Sequence, residues 1–302
     1  MNKLTILITG VNGLLGQYLL KALAGHDVSV VTVSKGPSRV GDLIHEGVIY
    51  RELDITDGLA MDILVEEYNP DIIIHAAAMT QADHCELNKV SCWNNNVTAT
   101  RFLVDAAKKI NSFFIYVSTD FVFDGKEGPY GEDAIPEPVN YYGSSKLAAE
   151  KAVFESPVSS AIVRTVLVYG KTADGTRTNI ITWVKKELEQ GKKIRVVDDQ
   201  IRTPTYAGDL ANAIIQIGLQ KAKGIWHISG AETFTPFQMA VIVAKELQLD
   251  LSLIERTDAS EFKQPAIRPL RTGFIIDKAV REISYRPISF KEGIYKMIGG
   301  KG

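Results

Sequence analysis

The chain has 302 residues, of which 45% are hydrophobic and 23% charged, with a formal net charge of −2 at pH 7. A chain this long buries roughly three quarters of its unfolded surface, so it needs neither a disulfide framework nor a metal staple, and its charge gives no electrostatic case for nucleic acid or an acidic membrane surface. The two cysteines, Cys85 and Cys92, suit a reducing compartment, and a cytoplasmic protein is expected.

Leu4–Thr9 is a continuous apolar, β-branched run, the pattern of a buried parallel strand. Lys3 and this run superficially resemble a signal peptide, but Gly10, Asn12, Gly13 and Gly16 break it, and strand, turn and helix in succession explain it better. Leu19, Leu20 and Leu23 recur at helical spacing, with Gly25 as a stop. In that turn Gly10 permits the reversal, Gly13 lets backbone approach a pyrophosphate, and Gly16 allows close helix–strand packing. Asn12 lies within the turn, and the helix start at Leu14 and Leu15 offers N–H groups and a positive dipole end to phosphates. The spacing is Gly-x-x-Gly-x-x-Gly, one residue longer than the common fingerprint. A dinucleotide site is predicted here.

Val28–Val33 reads as the second strand. A site for NAD usually places an acid at this strand's end, to accept from the adenosine ribose. The residues there are Ser34, Lys35, Gly36, Pro37, Ser38 and Arg39. Two cations and no acid suit a 2′-phosphate, so NADPH is the expected cofactor, with NADH possible. Val48–Leu53 reads as a third strand ending at Asp54 and Ile55, with Asp54 placed to accept from an adenine amine. Asp57 suits the N-cap of a helix to Tyr68, which Pro70 ends. Ile72–Ala76 is a fourth strand running into Ala76, Ala77 and Ala78, small enough to lie against a flat cofactor. His75 reads as a packed residue. His84, Cys85 and Cys92 lack the paired spacings of a zinc site, so helix packing is their expected role and no metal is expected. Asn96-Val97-Thr98 matches a glycosylation acceptor by chance. A helix is predicted from about Asn94 to Lys109.

Phe113–Val117 reads as a fifth strand that ends in Ser118-Thr119-Asp120-Phe121-Val122-Phe123-Asp124-Gly125. The carboxyl edge of an open α/β sheet is where ligands bind. A helix from Tyr142 to about Phe154 carries Tyr142 and Lys146 four residues apart, on one face. A phenol is a poor acid at neutral pH, and a neighbouring ammonium pulls its pKa downward. Tyr142 is then suited to protonating a carbonyl oxygen as hydride arrives at carbon, with Thr119 hydrogen-bonded to the same oxygen. Ile162–Tyr169 reads as a sixth strand, and strands alternate with helices throughout. The predicted fold is α/β, a Rossmann-type doubly wound parallel sheet with a smaller C-terminal α/β substrate-binding cap. Residues 1–169 form the dinucleotide-binding domain, rejoined by 203–230, while 170–202 and 231–302 form the smaller lobe. No apolar run reaches the ~20 residues needed to cross a bilayer.

These motifs, together with Arg164-Thr165, Tyr169-Gly170, Asp199-Gln200, Pro204-Thr205 and Arg268-Pro269, resemble those of the extended short-chain dehydrogenase/reductases, and among them the dTDP-4-dehydrorhamnose reductases, along nearly the whole chain. The resemblance implies Thr119, Tyr142 and Lys146 as the catalytic triad, Lys146 also holding the nicotinamide ribose. It implies reduction of a 4-keto group on a nucleotide-linked 6-deoxyhexose, with a nucleotide-sugar substrate and, as an open question of assembly, a homodimer. Asp120, Phe121 and Arg202 are the residues assigned to substrate. Sugar-nucleotide dehydratases follow Thr-Asp with a Glu; Phe121 stands there in this chain, and a phenyl ring cannot move a proton, so reduction is preferred. Leu167 replaces a Trp frequent in the reductases, and Arg202 replaces a small residue. That arginine suits a diphosphate or a neighbouring acid. The regulatory subunit of methionine adenosyltransferase, which is similar to the same reductases, and a 4-epimerase are the alternatives.

Overall fold

The computed structural model describes residues 3–44, 46–175 and 177–299. Its strands are β1 (Leu4–Thr9), β2 (Val28–Ser34), β3 (Val48–Glu52), β4 (Ile72–His75), β5 (Phe113–Thr119) and β6 (Ser160–Thr165). After these come β7 (Val168–Tyr169), β8 (Ile194–Val197), β9 (Thr205–Tyr206), β10 (Gly224–Ile228) and β11 (Ile254–Thr257). The central sheet has the order β10-β6-β5-β4-β1-β2-β3, and every pairing in it is parallel. The chain order reverses between β1 and β4, which creates the crevice where open α/β sheets take ligands.

Alternation along each strand divides the core into two layers. Ile6 and Ile8 of β1 face a cluster with Leu19 and Leu23 of the Leu14–Leu23 helix and Ile214 of the Ala207–Leu219 helix. Leu7 between them faces Met61, Leu64 and Leu103, from helices Gly58–Tyr68 and Ala99–Lys109 on the opposite side. Asp57 caps the first of these by accepting from the Ala60 N–H. The smaller lobe has its own core, in which Val184, Leu188, Met239, Val243, Ile294 and Met297 pack around the parallel pair β8 and β11.

Three features depart from the expected elements. The sixth strand breaks in two at Leu167, whose φ of 37° lies in the left-handed region; β6 stays in the sheet while β7 pairs with β9, carrying the chain toward the smaller lobe. The helix expected from Asn94 opens as a π turn, Asn94–Thr98, a form frequent at functional sites. Within the expected smaller lobe, Asp277–Ile283 instead packs on the large sheet, with Ala279 and Ile283 in the core beside β10, because their apolar face covers the sheet's last strand.

Candidate active site

The glycine turn begins where β1 ends. Gly10 has φ 78°, and a Cβ there would lie 2.8 Å from the Ala77 backbone, so the turn and the Ala76–Ala78 segment touch as only glycine allows. Asn12 does structural work that its position in the turn did not announce. Its amide side chain donates to the Pro37 carbonyl (3.0 Å) and accepts from the Arg39 N–H (2.8 Å), while its backbone N–H donates to Ser34 Oγ (3.0 Å). The loop after β2 is thereby stapled to the glycine turn, placing Lys35 and Arg39 at the same cleft. Lys35 pairs with Asp54 at 2.8 Å, and this contact holds the Asp54 carboxyl below its usual range. Asp54 also accepts from the Thr56 N–H and hydroxyl.

At the carboxyl end of β5 the chemistry converges. The helix Tyr141–Glu155 is capped by Asn140, which accepts from the Gly143 N–H at 2.9 Å. A Cβ on Gly143 would sit 2.0 Å from the Phe121 carbonyl oxygen; its absence lets this helix press against the turn that follows Thr119. Tyr142 and Lys146 are both buried. Burial pushes the Tyr142 phenol up from its usual value, and the Thr119 hydroxyl draws it partly back. Burial, not the neighbouring Lys146, sets the direction, contrary to the expected lowering. Burial depresses Lys146 itself to about 7; its Nζ donates to the Val117 carbonyl at 2.8 Å and lies 4.1 Å from the centre of the Tyr116 ring. For a proton donor this is serviceable, since a phenol that stays protonated is the form that reduction requires.

One turn further along the helix lies a buried ion pair, whose Glu150 carboxylate partly offsets the lowering of Lys146 by burial. Glu150 receives Arg164 of β6 through both oxygens, at 3.0 Å from Nε and 2.6 Å from Nη2, and also accepts from Ser118 Oγ. Arg164 Nη1 donates to His227 Nε2 (3.4 Å), which fixes the other ring nitrogen, Nδ1, as the donor to the Tyr130 carbonyl. His75 is a packed residue as expected. Burial drops it to about 3, and its ring bridges Thr9 and Thr100. Asn96, 1% exposed, donates to Ser145 Oγ and to the Met79 carbonyl, joining the π turn to the catalytic helix. Cys85 and Cys92 are free thiols packed with Ala82 and Ala266 against the Tyr142 ring. Among the described residues, no group of three or more His, Cys, Asp or Glu is placed to hold a metal ion, and no helix is long and apolar enough to cross a membrane.

The second lobe closes the site with a strap, residues 266–272. Arg268 makes a two-point contact with Asp83, at 2.5 and 2.6 Å. Asn140 Nδ2 donates to the Ile267 carbonyl at 2.7 Å. Arg202 runs beneath the strap, with Nη1 donating to the Ile201 and Leu270 carbonyls and Nη2 to Pro269 O and Gln200 Oε1. Both of its terminal nitrogens are committed to protein oxygens, so it serves as a strut and presents no free fork to a diphosphate.

One cleft of about 600 Å³ gathers every candidate named from the sequence, from Gly10, Asn12, Gly13, Leu14 and Leu15 through Ser34, Lys35, Asp54, Ile55 and Ala76–Ala78 to Thr119, Asp120, Phe121, Tyr142, Lys146 and Arg202. Arg177 and Arg268 line it as well; Arg177 is a single cation in a polar loop and carries no sequence signal. Six cationic side chains, Lys35, Arg39, Lys146, Arg177, Arg202 and Arg268, face two carboxylates, Asp54 and Asp120. In a chain of net charge −2, this is a local positive field suited to polyanions.

A glycine turn opening a parallel sheet, with Thr, Tyr and Lys at the sheet's carboxyl edge, defines an extended short-chain dehydrogenase/reductase. The family model described as RmlD substrate binding domain matches residues 4–300, and the chain belongs to that family. It is 30% identical to the dTDP-4-dehydrorhamnose reductase of Aggregatibacter actinomycetemcomitans over 96% of both chains. It is 31% identical to methionine adenosyltransferase 2 subunit beta of Xenopus tropicalis, over 82% of this chain and 73% of that one. Among solved structures, a dTDP-4-dehydrorhamnose reductase from Bacillus anthracis in complex with NADP has a TM-score of 0.86 at 28% identity, covering 98% of this chain and 99% of that one.

Proposed function

We propose that the protein is an NADPH-dependent reductase of a nucleotide-linked 4-keto-6-deoxyhexose, of the dTDP-4-dehydrorhamnose reductase type. The observation that carries this reading is the meeting of Thr119, Tyr142 and Lys146 in a cleft rich in cations. The glycine turn, the close Gly10–Ala77 approach and the loop cations fit a dinucleotide. When bound, NADPH supplies the hydride. The chain's own part is to orient the ketone, exclude water and deliver a proton: Tyr142 is the acid, Thr119 a second partner for the developing alkoxide, and Lys146 the neighbouring positive charge. Phe121 packs edge-on against the Tyr142 ring at 5.8 Å and has no proton to move, which favours reduction over loss of water.

The test is NADPH oxidation with a panel of 4-keto-6-deoxyhexose nucleotides. Turnover of at least one supports the reading. The 31% identity to the methionine adenosyltransferase subunit defines the competing outcome, a protein that binds NADP and a partner enzyme without turning over any of the panel. Cofactor choice is tested separately. Because Lys35 and Arg39 stand where an NAD site has an acid, NADPH should bind more tightly than NADH, and Lys35→Ala and Arg39→Ala should each narrow the difference in calorimetric titration. Equal affinities, unmoved by both changes, would refute the assignment of this loop to the 2′-phosphate.

A further inference from the structure

Arg268 ties the strap to the rest of the molecule, and only part of its guanidinium is used in doing so. Asp83, in the first turn of the helix Ala82–Leu87, meets it end-on: Oδ1 accepts from Nη1 at 2.5 Å and Oδ2 from Nη2 at 2.6 Å. The second Nη1 hydrogen goes to the Ala266 carbonyl at 2.6 Å, and Asp83 Oδ1 also accepts from the Ala266 N–H at 3.0 Å. A guanidinium carries its five hydrogens in a rigid plane. The two that these contacts leave over, on Nε and on Nη2, lie side by side on one edge and have no hydrogen-bond partner among the described residues. Such an edge is a fork that matches two oxygens of a phosphate. It belongs to a side chain that is 20% exposed and lines the cleft. Arg202 offers no such edge, because the hydrogens of both its terminal nitrogens go to protein oxygens.

We propose that Asp83 is a positioning residue for the substrate: by gripping Arg268 end-on, it turns the guanidinium's side edge to the cleft as the receptor for the diphosphate of a nucleotide sugar. The inference deepens the reductase reading and rests on it. The anion is assigned to substrate rather than cofactor because of what supports the strap. Glu86, on the same helix as Asp83, accepts from the Tyr141 N–H at 3.0 Å, and Asn140 donates to the Ile267 carbonyl at 2.7 Å. Arg268 and the acid Tyr142 therefore share one support, whereas the glycine turn and loop cations that fit the cofactor stand at the ends of β1 and β2. A nucleotide-linked ketose needs both, a proton at the ketone and a charged partner at the diphosphate. Arg202 is close enough to Arg268 to feel its charge, so the anion meets a cation besides the one that Asp83 balances. The Asp83 side chain is 38% exposed, and an ion pair so open to water adds little to folding. Orientation of Arg268 is the role left to it.

Calorimetric titration with dTDP and with UDP tests this without turnover. Arg268→Ala should weaken the tighter-binding of the two by about 10–100-fold, the range for losing charged hydrogen bonds, and leave NADPH affinity within about twofold. Arg268→Lys should recover little of that loss, because an ammonium keeps the charge and not the fork. Asp83→Ala should weaken the same diphosphate by about 3–10-fold, the scale of one misaligned hydrogen bond. Asp83→Ala combined with Arg268→Ala should bind no worse than Arg268→Ala alone, since Asp83 acts only through Arg268. In turnover, Asp83→Ala should raise KM for the nucleotide sugar by a larger factor than it lowers the single-turnover rate. Unchanged diphosphate affinity in Arg268→Ala, additive losses in the double variant, or an equal loss of NADPH affinity would each overturn the inference. So would tighter binding in Asp83→Ala, which would make Asp83 a competitor for Arg268, or a wild type that binds neither diphosphate. A wild type that binds a diphosphate but turns over none of the 4-keto panel sinks the reductase reading alone, and the titrations still decide what Asp83 and Arg268 do.

Discussion

Replacing Tyr142 with Phe is expected to lower NADPH-dependent reduction by at least ~10²-fold, the usual scale of general acid–base catalysis, with NADPH binding nearly intact. The substitution keeps the ring that packs against Phe121, Cys85 and Cys92 and removes only the proton. The phenol is buried and stays protonated, so in the wild type the acid is loaded at every working pH and discharges only as the alkoxide forms. Thr119→Val should lower turnover less, since it removes one hydrogen bond to that oxygen. Lys146→Ala should weaken both cofactor binding and turnover, because its Nζ, bonded to the Val117 carbonyl at the end of β5, lines the cleft. Reduction that survives Tyr142→Phe unchanged, measured by single-turnover absorbance of NADPH, would eliminate Tyr142 as the acid.

The largest stability effect is expected from Glu150→Ala, about 3–5 kcal/mol, the range for breaking a buried ion pair by removing one partner. The side chains of Arg164 and Glu150 are 2% and 4% exposed, and the guanidinium reaches both carboxylate oxygens. Without Glu150 an arginine charge is left buried beside Phe123 and a neutral His227, and Ser118 loses its acceptor. The pair itself need not add net stability, because two charges also lose their hydration on burial. A double replacement by apolar residues of similar size, Glu150→Leu with Arg164→Met, should therefore recover most of the loss. Urea unfolding measures both. A loss under about 1 kcal/mol in Glu150→Ala would mean that water reaches Arg164 and that the pair is not an anchor. Since Glu150 lies one helical turn beyond Lys146, the same variant should also weaken cofactor binding more than an equally destabilising change in the smaller lobe.

The parts of this protein that its sequence determined are those whose physics is local. A parallel strand buried on both faces is apolar along its length, a phosphate turn needs glycines at fixed intervals, and two side chains four apart on a helix share a face. From these alone β1 to β5, the glycine turn, and the grouping of Thr119 with Tyr142 and Lys146 were legible, and the fold followed. The tertiary structure decided what depends on partners distant in the chain. Thr272 holds Asp120 across 152 positions, and no local pattern marks either as a pair. Arg202 reads in sequence as a cation for a diphosphate or an acid; its partners proved to be mainly backbone carbonyls, which every residue possesses and which therefore leave no trace in composition. Leu167 ends the sixth strand in a left-handed conformation because the chain must leave the sheet to reach the smaller lobe, a demand of topology against an apolar stretch that by itself favours continuing. The Tyr142 phenol was expected to be lowered by its neighbour and is instead raised: spacing brings an ammonium near a phenol, but only the packed surroundings determine how much water both have lost, and here that loss is the larger effect.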